Sequence, residues 1–191
     1  MRKPLVTGGG TVGEAPFVLV DVTAGDVRGS SYVFCYTPRA AVPMALFANQ
    51  LADLLVGKPL APRTVAAELY RAFLLIGPQG MTGLVGSAID MACWDAVAKS
   101  AGLPLCRMLG AEPKPIRAYN SRGLGLIGPR KAGREARELV DEAGFKAIKV
   151  RLGYPDLETD VAVVEAVIQA VPDEIYTLSL HDALPIWKSV V

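Results

Sequence analysis

The chain has 191 residues, of which 51% are hydrophobic and 20% are charged, a composition typical of a folded protein with a sizeable core and not of a disordered one. Its 20 basic and 19 acidic residues nearly cancel, so the charge favours neither nucleic acid nor an anionic membrane as a partner. No apolar run approaches the roughly 18 residues of a membrane-spanning helix, and the N-terminus lacks the apolar segment of a signal peptide. Cys35, Cys93 and Cys106 have no metal-ligand spacing, which predicts reduced, buried thiols in a cytoplasmic protein.

The first half of the chain predicts a β-hairpin followed by three helices. Apolar runs at 17–22 and 27–36 flank turn residues at 23–26, which is the pattern of a hairpin. Apolar residues at helical spacing predict the three helices: Phe47, Leu51, Leu54 and Leu55, with Gly57 as the stop; Val65, Leu69, Ala72 and Phe73; and Val85, Ala88, Ile89, Ala92, Cys93, Ala96 and Val97. The small residues of the third helix suit close packing. Together these elements form an α+β module.

From Lys114 onward the pattern changes to alternating strands and helices. Strands are predicted at 116–121 and 145–152, and a helix that ends at Gly144 lies between them. Pro155 and Asp156 begin a second helix, for which the spacing predicts an inward face: Leu157, Val161, Val164, Ile168 and Val171. Short links between alternating strands and helices predict a parallel sheet with right-handed crossovers.

Two cations in the second of these strands are the sharpest candidate for chemistry. Lys149 and Arg151 are two residues apart, so their side chains lie on the same face of the strand. Buried parallel strands are normally apolar throughout, and buried cations are costly unless an anion meets them. The pattern therefore indicates an anion-binding site, while the alternative is a strand end at which both groups reach solvent.

Several motifs occur in the order found in one enzyme family. Residues 145–155, FKAIKVRLGYP, resemble the second barrel strand of mandelate racemases and related acid-sugar dehydratases, which carries a Lys-x-Lys motif. Residues 88–95, AIDMACWD, resemble the third cap helix of that family, 5–16 its mobile cap loop, and 30–38 the next cap segment. Over about residues 4–175 the chain is similar to the mandelate racemase and muconate lactonizing enzyme family of the enolase superfamily.

The resemblance implies an α+β cap domain followed by the first units of a (β/α) barrel, a truncated TIM-type barrel. It places the cap at 1–113, with the first strand of the family missing, and the first two β/α units of the barrel at 114–175. Residues 176–191 are expected to be a non-native tail, because 176–186, YTLSLHDALPI, is similar to the translation of a widely used short-read sequencing adapter.

The chemistry shared by the family is removal of the proton α to a carboxylate, with Mg²⁺ stabilising the resulting enediolate. The resemblance implies that Lys149 contacts the carboxylate of a small substrate, that Arg151 stands where the family usually has a lysine base, and that Ser121 hydrogen-bonds the substrate. It also implies an apolar pocket, for which ordinary packing is the alternative role of the same residues: Leu5, Val12 and Tyr36.

The chain departs from the family pattern in two ways. Arginine stays protonated at any working pH, so Arg151 is a poor base and a good carboxylate clamp, which favours dehydration over racemisation. The metal ligands of the family lie on later barrel strands, so no metal ligands are expected in this chain. Acids at 156, 158 and 160 suit the first turn of a helix, His181 is not expected to be catalytic, and 8–10 lacks the Gly-Lys-Ser/Thr ending of a phosphate loop.

These departures lead to two hypotheses. In the first, the chain is an inactive fragment of a Mg²⁺-dependent dehydratase or racemase of hydroxy acids or acid sugars, and the parent enzyme is a cytoplasmic homo-oligomer. In the second, the chain is a non-catalytic, cap-like binding or interaction protein. The first requires metal-binding carboxylates beyond the residues present, whereas the second requires the tail at 176–191 to be genuine.

Overall fold

The computed structural model describes residues 4–142, 144–172 and 175–179, the last of these as backbone only. These residues form six strands: β1 (Leu5–Thr7), β2 (Gly10–Val12), β3 (Phe17–Ala24), β4 (Val27–Phe34), β5 (Ala147–Arg151) and β6 (Ile175–Ser179). They also form six α-helices: α1 (Pro38–Gln50), α2 (Pro62–Ala72), α3 (Met81–Ser100), α4 (Leu105–Met108), α5 (Pro129–Asp141) and α6 (Leu157–Ala170). Residues 14–114 make up one compact unit, here the cap unit, and the hairpin at the start of the chain joins the residues from 115 onward in a second, here the barrel unit.

In the cap unit, the predicted hairpin and three helices are confirmed. Strands β3 and β4 pair antiparallel from Phe17 opposite Phe34 to Ala24 opposite Val27. Helix α1 ends earlier than predicted, because the N–H of Leu51 donates to the carbonyl oxygens of both Phe47 and Ala48 and the chain tightens into a 3₁₀ turn over Ala52–Leu54. The predicted stop at Gly57 therefore follows this turn rather than the helix itself.

Helix α3 crosses the hairpin at very close range. Ala88, Ala92 and Ala96 have no solvent exposure, which confirms the prediction that its small residues allow close packing. A Cβ atom added at Gly29 of β4 would overlap the backbone of Ala92 and Ala96. Glycine and alanine together therefore set the distance between sheet and helix, and larger apolar residues fill the core around them.

In the barrel unit, β5 and β6 pair in parallel, and α6 connects them. A parallel sheet was predicted for β5, but with 116–121 as the second strand and not with β6. Helices α5 and α6 pack on one face of β5, where Ile148 and Val150 are fully buried in a core with Leu139, Val163 and Val167. Strands β1 and β2 form a short hairpin of their own, with Leu5 opposite Val12.

The strand predicted at 116–121 is wrong except at one residue. Only Asn120 forms a β-bridge, parallel to Ile148, and its backbone exchanges hydrogen bonds with Ala147 and Lys149. Ile116 is highly exposed, so the apolar residue that suggested a strand has no described partner to pack against.

The predicted inward face of α6 is wrong at three of its five residues, whereas Val171 is buried and Val164 packs against the core. Leu157, Val161 and Ile168 are exposed, and the buried stripe consists of Asp160, Val163, Val167 and Val171. The helix is rotated because the carboxylate of Asp160 turns inward to accept backbone hydrogen bonds. The spacing of apolar residues alone could not reveal that an acidic residue, Asp160, lies on the buried face.

Part of the predicted non-native tail has regular backbone structure. Residues 176–179 belong to β6 and continue its parallel register with β5 up to Ser179 opposite Arg151. Residues 180–191, including His181, lie outside the described residues.

Candidate functional site

The candidate site lies where β5 ends. Because Ile148 and Val150 face the helices, Lys149 and Arg151 lie on the opposite face of the strand. The side chain of Lys149 is half-buried, and among the described residues none forms a hydrogen bond or an ion pair with its ammonium group. Arg151 is buried, with 8% of its surface exposed. The two cations that the sequence singled out thus share a face but differ in their surroundings.

Arg151 binds the backbone of the loop that follows Asn120. Its Nη1 donates to the carbonyl oxygen of Gly123 at 2.6 Å, and its Nη2 donates to Ser121 Oγ at 3.2 Å. Longer contacts of 3.4 Å join both nitrogens to the carbonyl oxygen of Ser121. The structure therefore brings together Ser121 and Arg151, two of the predicted site residues, but the guanidinium is engaged with the protein itself.

The same loop, here loop A (residues 121–128), is held from the other side by α5. The carboxylate of Glu135 accepts the backbone N–H of Leu124 at 2.9 Å. Leu124 is fully buried and has a φ of +52°, a conformation that costs a non-glycine residue free energy. A Cβ at Gly123 would lie 2.8 Å from the carboxylate carbon of Glu135, so glycine is needed there for the carboxylate to approach.

Asn120 anchors the start of loop A. Its Nδ2 donates to the carbonyl oxygen of Leu139 at 3.0 Å, and its Oδ1 accepts the N–H of Arg122 at 3.1 Å. An ion pair between Arg122 and Glu142 lies beside it. A polar residue in a predicted strand was the signal that the sequence offered for this role, and it was missed.

A second loop at the end of β5, here loop B (residues 152–156), is fixed by Asp160. This carboxylate is 3% exposed and accepts the N–H groups of Gly153 at 2.9 Å and Tyr154 at 3.3 Å. The phenol oxygen of Tyr154 in turn accepts the N–H of Gly128 at 2.6 Å, which ties loop B to loop A. Burial raises the pKa of Tyr154, so the phenol stays neutral and retains its own proton.

The acids at 156, 158 and 160, which the sequence assigned to the helix dipole, have different roles. Asp156 caps α6 by accepting the N–H of Thr159 at 2.7 Å, and this hydrogen bond holds the pKa of Asp156 below its usual range. Glu158 is exposed in the first turn. Asp160 is the buried loop anchor described above, and sequence reasoning missed it.

The predicted pocket residues are divided between the two units. Leu5 and Val12 are half-buried partners across the β1–β2 hairpin. The hairpin contacts loop A, because the N–H of Leu126 donates to the carbonyl oxygen of Val6 at 2.9 Å. Tyr36 belongs to the cap unit, where it is 68% exposed and its ring lies 4.6 Å from that of Phe34. The structure thus joins Leu5 and Val12 to loop A and describes Tyr36 only within its own unit.

Across residues 4–142 and 144–172, no three His, Cys, Asp or Glu side chains cluster closely enough to hold a metal ion. Cys35 and Cys93 are buried free thiols, and Cys106 is a partly exposed one. Among the described residues, no helix has the length and apolar character needed to cross a membrane.

Comparison with known proteins gives one consistent result. The N-terminal domain of the mandelate racemase / muconate lactonizing enzyme family matches residues 1–110. An L-talarate/galactarate dehydratase from Salmonella typhimurium is 34% identical over 143 residues, which is 74% of this chain and 36% of the relative. The relatives of the chain include further acid-sugar dehydratases and an epimerase.

Two solved structures extend the similarity to the fold. An enolase from Bradyrhizobium, complexed with magnesium and mandelic acid, has 37% identity and a TM-score of 0.82, and the match covers 93% of this chain and 49% of that one. An enolase from the alphaproteobacterium bal199, with bound magnesium, has 31% identity and a TM-score of 0.87 over 100% of this chain and 55% of that one. The chain thus spans about half the length of these structures.

These matches confirm the predicted architecture, an α+β cap followed by the first units of a (β/α) barrel. The chain belongs to the mandelate racemase / muconate lactonizing enzyme family of the enolase superfamily.

Proposed function

We propose that the chain supplies the carboxylate-binding part of an acid-sugar dehydratase, an enzyme that removes the proton α to a carboxylate and then expels a β-hydroxyl group. Lys149 binds the substrate carboxylate and Ser121 hydrogen-bonds the substrate. Leu5 and Val12, on the hairpin whose Val6 contacts loop A, contribute apolar surface to its pocket.

The surroundings of Lys149 are the main support for this proposal. The residue is half-buried, and none of the described residues forms a hydrogen bond or an ion pair with its ammonium group. Removing a cation from water without a partner is unfavourable. A substrate carboxylate would supply the missing anion, and the barrel folds of enzymes place their sites at this end of the strands.

Arg151 favours dehydration over racemisation. Racemisation by two bases needs a proton acceptor on each face of the α-carbon, whereas dehydration needs only one. A guanidinium keeps its proton at any working pH, and that of Arg151 already donates to Ser121 and Gly123. Arg151 is therefore not the second base.

Magnesium would stabilise the enediolate in such an enzyme, as the magnesium in the solved relatives suggests. Because the described residues offer no ligand set for it, we expect the chain by itself to show no magnesium-dependent turnover of galactarate. The homo-oligomeric assembly and cytoplasmic location of the enzyme stay predictions.

The test is binding of galactarate to the 191-residue chain, followed by NMR chemical shifts of the labelled lysine ammonium groups and of the backbone. We expect galactarate to shift Lys149 and loop A, and Lys149→Met to weaken binding about tenfold or more, the range for a charged hydrogen bond. Lys131→Met is the matched control, because Lys131 is exposed on α5, and it should bind like the unaltered chain.

Binding that survives Lys149→Met unchanged, or no binding at all, would contradict the proposal. Binding that requires the cap unit but not Lys149 would instead favour the second hypothesis, a non-catalytic binding protein. Magnesium-dependent release of the α-proton by the chain alone would overturn the expectation that it has no turnover.

A further inference from the structure

Ser121 is set to act as a hydrogen-bond donor. A guanidinium carries only donors, so Ser121 Oγ must accept in its 3.2 Å hydrogen bond with Arg151 Nη2. The hydroxyl proton of Ser121 is then left for a different acceptor. Arg151 thereby occupies one acceptor site of the serine and leaves its hydroxyl proton able to donate to a ligand.

This donor lies on the same side of β5 as Lys149. Asn120 bridges Ile148 in parallel, and both side chains face α5, since Asn120 donates to Leu139 and Ile148 is in the core. Ser121 Oγ contacts Arg151, and the side chain of Arg151 leaves β5 on the same face as that of Lys149. An ammonium and a hydroxyl proton on the same side of the strand match a carboxylate, which accepts hydrogen bonds and donates none.

Two charged side chains hold loop A, in addition to a backbone hydrogen bond from the N–H of Arg151 to the carbonyl oxygen of Leu124 at 3.0 Å. Arg151 on β5 binds the carbonyl oxygen of Gly123, while Glu135 on α5 binds the N–H of Leu124, the next residue. Leu124 keeps its positive φ of +52° only while its surroundings enforce it. Without the two side-chain contacts, the backbone hydrogen bond to Leu124 would be left to hold this part of the loop, and we expect Ser121 to lose its fixed position.

We propose that Arg151 and Glu135 are positioning residues, which hold loop A so that Ser121 donates its hydroxyl proton to the substrate carboxylate bound by Lys149. The proposal rests on the proposed function for the identity of the ligand. It assigns Arg151 neither the role of a base nor direct contact with the substrate, and it gives Glu135 a role that the sequence did not suggest.

The first part of the test needs no ligand and uses amide hydrogen exchange in the 191-residue chain. Exchange at Leu124 should rise about ten- to hundredfold in Arg151→Met and in Glu135→Ala, the range for loss of charged hydrogen bonds. Glu135→Gln should stay close to the unaltered chain because its amide oxygen still accepts. Arg151→Lys should not restore protection, since an ammonium lacks the planar fork that reaches both carbonyl oxygens.

Two controls separate local release from unfolding. Arg134→Met removes an exposed arginine of α5 and should leave exchange at Leu124 unchanged. Amides in the middle of α6 should keep their protection in every variant. Leu124 exchange that stays at its original rate in Arg151→Met, with α6 intact, would overturn the proposal.

The second part is a double-mutant cycle that measures galactarate affinity. A purely structural role of Arg151 would not change this affinity. Ser121→Ala should weaken binding about fivefold to tenfold in the unaltered chain, as expected for one hydrogen bond to a charged group, and have no effect in Arg151→Met. Equal losses in both backgrounds would overturn the proposal. If galactarate does not bind the unaltered chain, the proposed function fails instead, and the exchange of Leu124 still decides whether Arg151 and Glu135 hold the loop.

Discussion

The interactions that stabilise the interior of the cap unit differ from those that stabilise the barrel unit. In the cap unit, alanines of α3 and Gly29 bring helix and sheet into direct backbone contact, and apolar side chains fill the remainder. In the barrel unit, an apolar core supports β5, but charged side chains fix the loops at its end through backbone hydrogen bonds: Arg151, Glu135 and Asp160. Apolar packing resists any added volume, whereas a charge-assisted contact fixes one loop in one conformation. The loops at the candidate site therefore take their geometry from single polar groups.

The largest expected effect is in the cap unit. Gly29→Leu would drive a side chain into the backbone of Ala92 and Ala96, and we expect a loss of about 3 kcal/mol in the free energy of unfolding. Urea unfolding followed by circular dichroism measures it. Gly86→Ala on α3 is the control, because its new Cβ would lie 3.5 Å from Phe73, an ordinary contact, and alanine favours a helix. A neutral Gly29→Leu would show that the sheet and the helix are not in close contact.

A smaller effect is expected from the anchor of loop B. Asp160→Ala leaves the N–H groups of Gly153 and Tyr154 without their acceptor, which should cost about 2 kcal/mol. Glu158→Ala, on the exposed side of the same helix, should change stability by less than about 0.5 kcal/mol. Faster amide exchange at Gly153 in the first variant alone would locate the loss in loop B. Equal effects of the two substitutions would refute the role given to Asp160.

Much of the cap unit could be predicted because its elements follow apolar periodicity, as in the stripe from Val85 to Val97 that became α3. The face of α6 could not, because its buried stripe begins with Asp160, and a charged residue carries no apolar signal. The role of Glu135 was hidden for the same reason. Its partner is a backbone N–H in loop A, 11 residues before it, and no pattern of side chains reports where a loop's backbone hydrogen bonds go.

The smallest effects concern two aspartates of α3 and depend on pH with opposite signs. Hydrogen bonds from Lys99 and from the N–H of Ser30 hold the pKa of Asp95 below its usual range, so its contribution to stability is present above the pKa of the unfolded chain and is lost as the pH falls. Burial raises the pKa of Asp90, so its ionised form is unfavourable in the folded chain and its cost appears as the pH rises. Asp95→Asn should therefore destabilise at pH 7 and Asp90→Asn should stabilise. Thermal unfolding at pH 7 and near pH 2 compares them, and both differences should shrink at the lower pH.

The central claim is that the barrel unit presents Lys149 to a substrate carboxylate. The most direct test of this claim changes the ligand and leaves the chain unaltered. Galactarate and galactitol have the same carbon skeleton and hydroxyl groups, but galactitol lacks the two carboxylates. In an NMR titration of the unaltered chain, galactarate should shift Lys149 and loop A, and galactitol at the same concentration should shift neither. Equal shifts with both ligands, or galactarate shifts that leave Lys149 unchanged, would contradict the account.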